Sequence, residues 1–160
     1  MDKTSHWLIF SLAGQKFAFA LFAVTGVVRA VEITPVPEAP DLVLGVVNIK
    51  GRVIPVINIR KRLGLPEREM DLKDLLIIAR TPERTIAFLV DAVSSVREVS
   101  GQQRLEGGEM LTVPEKVVAL LKLPEGLIPV LNPESLLPVA KDQDNMPVAD
   151  VTVAVGGKPE

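Results

Sequence analysis

An internal repeat constrains the fold of this chain more than any other feature of its sequence. Residues 51–58 read Gly-Arg-Val-Ile-Pro-Val-Ile-Asn and residues 125–132 read Glu-Gly-Leu-Ile-Pro-Val-Leu-Asn, so that Pro55 and Pro129 are 74 residues apart. A second pair of similar segments, 17–24 and 86–93, precedes the two copies in the same order at a separation of 69 residues. Chance similarity between β-rich stretches is the alternative, but the shared Ile-Pro-Val-hydrophobe-Asn string argues against it. The sequence therefore predicts two similar units.

Short apolar runs separated by glycine, proline and charged residues indicate β-strands. Two short helices are predicted after Asn58 and Asn132, because asparagine is a good N-cap, and one further helical turn fits within 21–28. Ten strands in two units give five strands each, and closing each unit into a barrel removes exposed edges. The predicted class is mainly β, with two similar five-stranded barrels and one or two short helices. The predicted strands are Trp7–Leu12, Lys16–Leu21, Val27–Glu32, Leu44–Ile49, Val53–Asn58, Leu75–Ala79, Thr85–Val90, Val96–Val99, Val117–Leu123 and Leu127–Leu131.

Composition excludes several classes of function. The 160 residues include no cysteine, which excludes disulfides, thiolate metal sites and cysteine nucleophiles. A formal net charge of −2, a single Trp and no Tyr argue against binding to nucleic acid. The uncharged apolar stretch 17–28 falls short of the roughly 20 residues that cross a bilayer, and the first residues lack the layout of a secretory signal. We therefore expect a soluble, cytoplasmic protein that does not insert into the membrane.

The sequence offers little for catalysis. His6 is the only histidine and is predicted to lie in an N-terminal tail, so there is no partner for a metal cluster or a nucleophile–base pair. Asp91 follows an apolar strand, where a carboxylate can be catalytic, but we expect it to lie at the strand end and accept hydrogen bonds from nearby backbone amides. The other acidic residues are scattered in polar loops, where they are usually solvated. We predict no active site, no cofactor and no metal.

The basic run Arg60-Lys61-Arg62 has two interpretations that the sequence leaves open. Its cations complement the C-terminal end of the short helix that follows Asn58, or they form a docking patch for a partner.

The segment 24–65 resembles the CheW family of chemotaxis coupling proteins. The resemblance rests on a proline-rich loop, Ile-Thr-Pro-Val-Pro-Glu-Ala-Pro at residues 33–40, followed at residues 44–60 by Leu-Gly-Val-Val-Asn-Ile-Lys-Gly-Arg-Val-Ile-Pro-Val-Ile-Asn-Ile-Arg. Further similarity lies in residues 27–29, 88–96 and 128–132, so that it extends from about Trp7 to Val139.

The resemblance implies two SH3-like barrels packed on each other in a CheW-like domain over residues 7–140, with repeat units at approximately 7–68 and 72–138. Residues 1–6 are then an N-terminal tail. The polar composition after Lys141 predicts a flexible C-terminal tail at 141–160, although Val148–Val155 contains strand-forming residues that suit a sheet edge.

The family's function implies a non-catalytic adaptor in chemotaxis-type signal transduction. One barrel docks on the regulatory domain of a CheA-type histidine kinase, and the groove between the barrels binds the cytoplasmic helical tip of a methyl-accepting chemoreceptor. The alternative for Val24, Val27 and Val93 is ordinary core. Carried over by position, the receptor-facing candidates are Val24, Val27, Lys50, Gly51, Ala87 and Val93, and the kinase-facing candidates are Val36, Gly45, Val47 and Val56.

Three positions depart from the family pattern. The family usually has Glu in place of Gly26, Arg in place of Lys50 and Asp in place of Asn58. Lysine keeps the charge of arginine but lacks its bidentate fork, so we expect a weaker or less oriented receptor contact. One alternative is therefore a divergent auxiliary protein that lacks one of the two partners. A small-molecule-binding β-barrel is another, because barrels of apolar strands can enclose a cavity. An enzyme based on Asp91 is a third.

Overall fold

A computed structural model describes residues 4–106, 116–138 and 151–152 of the chain. The described residues form twelve strands, one α-helix and short 3-10 turns at Leu21–Ala23, Gly101–Gln103 and Pro133–Leu136. In chain order the elements are β1 (Thr4–Leu12), β2 (Gln15–Ala20), β3 (Val24–Arg29), β4 (Val43–Ile49), β5 (Arg52–Ile57), α1 (Ile59–Leu63), β6 (Leu75–Arg80), β7 (Thr85–Val90), β8 (Ala92–Ser100), β9 (Arg104–Glu106), β10 (Val117–Leu123), β11 (Gly126–Leu131) and β12 (Val151–Thr152).

The strands form two sheets. One, the terminal sheet, combines strands from both ends of the chain in the order β8-β1-β2-β11-β10-β9. The other, the central sheet, has the order β12-β5-β7-β6-β3, with β4 paired to β5. The predicted class, mainly β with two strand-built units and few short helices, is confirmed.

The internal repeat is visible in the pairing, but its second copy is circularly permuted. The strand order β4-β5-β7-β6-β3 of the central sheet corresponds to β10-β11-β2-β1-β8 of the terminal sheet. Each sheet contains one parallel pair, and the registers match: Val56 pairs with Ala87, and Val130 pairs with Ala18. The predicted halves at 7–68 and 72–138 therefore do not each form one unit. The β1–β2 hairpin leaves the first half and pairs with strands of the second, because sequence similarity identifies equivalent strands without specifying their partners.

Each predicted strand has a counterpart, with differences at the ends. β1 begins at Thr4, so that His6 lies in a strand opposite Glu98 and not in a tail. β8 begins at Ala92, four residues earlier than predicted, and β9 was not predicted. In the C-terminal region, Val151 pairs with Val53 of β5, and the rest of 141–160 lies outside the described residues.

The short helices begin and end as the sequence predicts. The Asn58 side chain accepts a hydrogen bond from the Lys61 amide at 3.1 Å, and α1 ends at Gly64, whose φ of 72° suits glycine. Asn132 caps the 3-10 turn that follows β11 in the same way, through the Glu134 amide at 3.1 Å. The turn predicted within 21–28 is the 3-10 turn at Leu21–Ala23.

The two sheets share a core. Phe10 and Phe19 of the terminal sheet have ring centroids 4.7 Å apart, and Phe19 lies 5.2 Å from Phe88 of the central sheet. All three rings are completely buried. Alternate residues of β1 and β6 turn to a second, separate core on the far side of each sheet, as strand geometry requires. Burial on both faces fixes the register of these strands.

Candidate interaction surfaces

The six residues predicted to face a receptor differ widely in exposure. Val27, on the outward face of β3, is 38% exposed, and Lys50 is exposed in the β4–β5 turn. Val24 and Val93 are half-buried and pack against the core that the sheets share. Ala87 is completely buried in the core of the central sheet, so its side chain offers no contact to a partner and that prediction is wrong.

The β4–β5 turn presents Lys50 in a strained conformation. Ile49 pairs with Arg52 across a two-residue loop in which Lys50 and Gly51 have φ values of 53° and 84°. Positive φ at both central residues defines a type I′ turn, which favours Asn-Gly. The Gly51 amide donates to Asn48 Oδ1 at 2.9 Å. Lysine at positive φ costs about 1 kcal/mol.

Most of the residues predicted to face a kinase belong to the interior. Val47 and Val56 are 2% and 0% exposed and pack in the core of the central sheet. Gly45 is also buried, and a Cβ at this position would lie 2.3 Å from the Thr34 carbonyl oxygen. These three predictions are wrong as surface contacts, because carrying a residue over by its position in the family does not reveal that both faces of its strand are covered. Val36, which is half-buried in the loop before β4, is the one candidate still accessible.

Asp91 lies at the centre of a charged cluster that joins the two sheets. Its carboxylate accepts hydrogen bonds from the Ala13 amide at 2.9 Å and from Arg60 Nη2 at 2.8 and 2.6 Å. Partial burial opposes ionisation of Asp91, but the hydrogen bonds from Arg60 and Ala13 outweigh it and hold the pKa of this carboxyl below its usual value. The expected amide acceptor role of Asp91 is confirmed, although the amide is 78 residues away.

A second carboxylate extends this cluster. Arg68 Nη2 lies 2.9 Å from Asp91 Oδ1 and 2.6 Å from Asp74 Oδ1. Asp74 is buried and also accepts from the Asp71 amide at 2.8 Å. The hydrogen bond that Arg68 donates to Asp74 raises the pKa of the Arg68 guanidinium above its ordinary value. The four charged side chains connect the loop between α1 and β6 to the rest of the protein. No sequence pattern indicates this cluster, because its members come from separate polar segments.

The basic run after Asn58 is only partly available for docking. Arg60 is used by Asp91, and Arg62 Nη2 donates to the Ser135 carbonyl at 3.2 Å. Lys61 is exposed. Two of the three cations therefore stabilise the fold, which argues against the docking-patch interpretation.

A cavity of about 400 Å³ adjoins the charged cluster. Arg60, Arg68, Asp74 and Asp91 line it, and their charges are already paired with one another. The described residues contain no group of three or more His, Cys, Asp or Glu that could hold a metal ion. Within the same part of the chain, no helix is long and apolar enough to cross a membrane.

Comparison with known proteins identifies the family. The model of the CheW-like domain matches residues 6–141, which is most of the chain. The chain belongs to the CheW-like domain family. This result confirms the resemblance drawn from the Pro-rich loop and the strand that follows it.

Individual relatives support the same family assignment. The chain is 36% identical over 93 residues to the chemotaxis protein CheW of Rhizobium meliloti and 38% identical over 96 residues to that of Thermotoga maritima. These matches cover 58% and 60% of this chain, and 60% and 63% of the relatives, so they span less than two thirds of either relative. The crystal structure of the scaffolding protein TtCheW from Thermoanaerobacter tengcongensis matches at a TM-score of 0.78 and 27% identity, over 86% of this chain and 95% of that one. The two-subdomain, SH3-like architecture expected of the family is therefore confirmed.

Proposed function

We propose that this CheW-like chain is a non-catalytic adaptor that couples chemoreceptors to a CheA-type histidine kinase. The observation that carries the proposal is the family match over residues 6–141. It is supported by relatives that are named chemotaxis proteins and by the similarity to a scaffolding protein over nearly all of its resolved chain. Since this role joins a kinase to the cytoplasmic tip of a receptor, we propose that the protein acts in the cytoplasm.

The state of Asp91 supports a role without catalysis. A general base needs a carboxylate that is free to take a proton. Both oxygens of Asp91 are engaged by Arg60, and one also accepts from the Ala13 amide. A carboxyl whose pKa is lowered by these partners is a poor proton acceptor near neutral pH. Its geometry fits a structural role, in which the carboxylate connects Arg60 to the Ala13 amide.

We propose that the receptor tip contacts the outward face of β3 and the β4–β5 turn. Val27 supplies exposed apolar surface there, and Lys50 supplies a cation on a rigid turn. An amphipathic helix of a receptor would bury the valine, while one of its carboxylates pairs with the lysine. Val24, Gly51 and Val93 are half-buried and stay candidates for the same contact. For the kinase domain, Val36 is the accessible candidate.

Titration of the isotope-labelled protein by NMR tests the proposal. We expect a CheA regulatory domain and, separately, a helical-hairpin fragment of a receptor tip to shift distinct sets of amide resonances. The informative variant is Lys50→Asn, which removes the charge while keeping the type I′ turn, because Asn-Gly is its preferred sequence. Lys73→Asn is the matched control, since Lys73 is also an exposed lysine in a loop.

Lys50→Asn and Lys73→Asn should differ in their affinity for the receptor fragment only. We expect Lys50→Asn to weaken binding of the receptor fragment about threefold to tenfold and to leave kinase binding unchanged, whereas Lys73→Asn changes neither. A wild-type protein that binds neither fragment would show that the proposed function is wrong.

A further inference from the structure

Phe22 is the most exposed large apolar side chain among the described residues. It is 94% exposed and lies in the 3-10 turn Leu21–Ala23, which connects β2 of the terminal sheet to β3 of the central sheet. Burying a phenylalanine side chain is favourable, and the folded chain leaves this stabilisation unused. An aromatic side chain held outward on a short ordered turn is typical of an interaction anchor.

Two hollows flank Phe22. The larger, of about 510 Å³, lies between Trp7 and Val130 of the terminal sheet and Pro82 of the β6–β7 turn. The smaller, of about 370 Å³, lies beside His6. Phe22 lines both hollows, together with Trp7, Ala20 and Arg104, so its exposed side chain is a ridge on their shared boundary.

A ridge between two hollows is complementary to an α-helix. The side chains of a helix form rows, and an inserted side chain fits the hole between four of them while its neighbours project on either side. An added β-strand would need an open row of backbone amides and carbonyls, and the lining consists instead of side chains from several elements. The shape therefore favours a helical partner.

The charges of the larger hollow favour an acidic helix. Arg80 and Arg104 both line it, and Glu134 is the acidic residue of the described lining. The Arg104 guanidinium lies 5.2 Å from the centre of the Trp7 ring, which holds it over the apolar floor. Arg80 is exposed at the end of β6. A carboxylate on the helix would pair with Arg80 at this rim.

The hollow borders the start of β3, the strand whose outward face is proposed to contact the receptor, because Phe22 and Ala23 line it. Val24, two residues after Phe22, pairs with Ala79, and Arg80 follows Ala79 directly. We propose that Phe22 is an anchor for the receptor-tip helix, that the hollows beside it receive the neighbouring side chains of that helix, and that Arg80 pairs with one of its carboxylates. This inference rests on the proposed function. It adds a contact that the sequence did not indicate. It also provides Arg80 as a second cation for the helix, whereas Lys50 alone lacks the bidentate fork of arginine.

The test compares four variants of the full chain for binding to a receptor-tip hairpin fragment and to a CheA regulatory domain. Phe22→Ala removes the anchor, and Leu72→Ala is its control, because Leu72 is 85% exposed in a different loop. Arg80→Glu reverses the rim charge, and Lys73→Glu is its control at another exposed cation. All four positions are exposed, so we expect melting temperatures close to that of the wild type, measured by circular dichroism.

We expect Phe22→Ala to weaken binding of the receptor fragment about tenfold, and Arg80→Glu to weaken it by a similar factor that shrinks at high salt. The two controls should bind as the wild type does, and the affinity for the kinase domain should stay unchanged in all four. If Phe22→Ala binds the receptor fragment normally while Lys50→Asn weakens it, the inference fails and the proposed function stands. If Phe22→Ala weakens only kinase binding, the partner named here is wrong. If the wild type does not bind the receptor fragment at all, both proposals are wrong.

Discussion

The Nη2 atom of Arg60 lies 2.6 Å from Oδ2 of Asp91, and this contact joins the two sheets of the protein. Arg60 belongs to α1, which follows the central sheet, whereas Asp91 separates β7 from β8 and so stands where the chain passes from one sheet to the other. Asp91 also holds the β1–β2 turn, through the Ala13 amide at its carboxylate and through its own amide, which donates to the Ser11 carbonyl at 3.0 Å. The relative placement of the two units therefore depends on one carboxylate in addition to the shared core.

Replacing Asp91 with asparagine should destabilise the protein. The variant keeps the shape of the side chain but leaves Arg60, whose side chain is only 12% exposed, without an ionic partner. We expect the free energy of unfolding to fall by about 2 kcal/mol, measured by urea denaturation at neutral pH. Asp41→Asn is the control, because Asp41 is exposed in a loop. Equal urea midpoints for the two variants would show that the cluster contributes nothing to stability.

The contribution of Asp91 should also depend on pH. Its pKa is lower in the folded protein than in the unfolded chain, so its stabilising effect is present above the unfolded value of about 4 and is lost as the pH falls through the folded pKa. We expect the difference in unfolding free energy between the wild type and Asp91→Asn to be constant above about pH 5 and to narrow below about pH 4. A difference that widens on acidification would contradict the lowered pKa.

Local patterns in the sequence were sufficient to predict most elements of this fold. The Ile-Pro-Val-hydrophobe-Asn string identified β5 and β11 as equivalent strands, and Asn58 and Asn132 cap the turns that follow them. The strand motif and the two caps each depend on residues that are close together along the chain, where turn and cap preferences act.

Pairing and burial could not be predicted in this way. Nothing in the sequence distinguishes the pairing of Val130 with Ala18 from its pairing with Ala87, because both partners lie in similar apolar strands. The resemblance to the family places Val47 and Val56 on a surface by position alone, and position does not show which strands cover them. The outward position of Phe22 is set by a three-residue turn inside an apolar run that otherwise predicts core.

Two glycines of the central sheet should respond very differently to alanine. At Gly45, where φ is 151°, a Cβ would lie 2.3 Å from the Thr34 carbonyl oxygen, so the close approach of residues 33–34 to β4 would be lost. At Gly26 a Cβ would meet no atom within 4 Å. We expect Gly45→Ala to lower the free energy of unfolding by about 2 kcal/mol or more and Gly26→Ala to change it by less than about 0.5 kcal/mol, measured by thermal or urea unfolding. Similar stabilities for both variants would show that the loop before β4 adapts without cost.

Restoring the residues usual in the family should strengthen receptor binding. Glutamate fits at position 26, where the space around a Cβ is open, and arginine at position 50 would add a bidentate donor on the same turn. We expect the double variant Gly26→Glu, Lys50→Arg to bind a receptor-tip fragment about tenfold more tightly than the wild type, measured by isothermal titration calorimetry, with no change in affinity for a CheA regulatory domain. Gly26→Ala is the control at position 26, because it adds a side chain in the same open space without a carboxylate and should bind as the wild type does. An unchanged affinity in the restored variant would mean that Gly26 and Lys50 do not limit the receptor contact, and the alternative of an auxiliary protein that lacks its receptor partner would lose its physical basis.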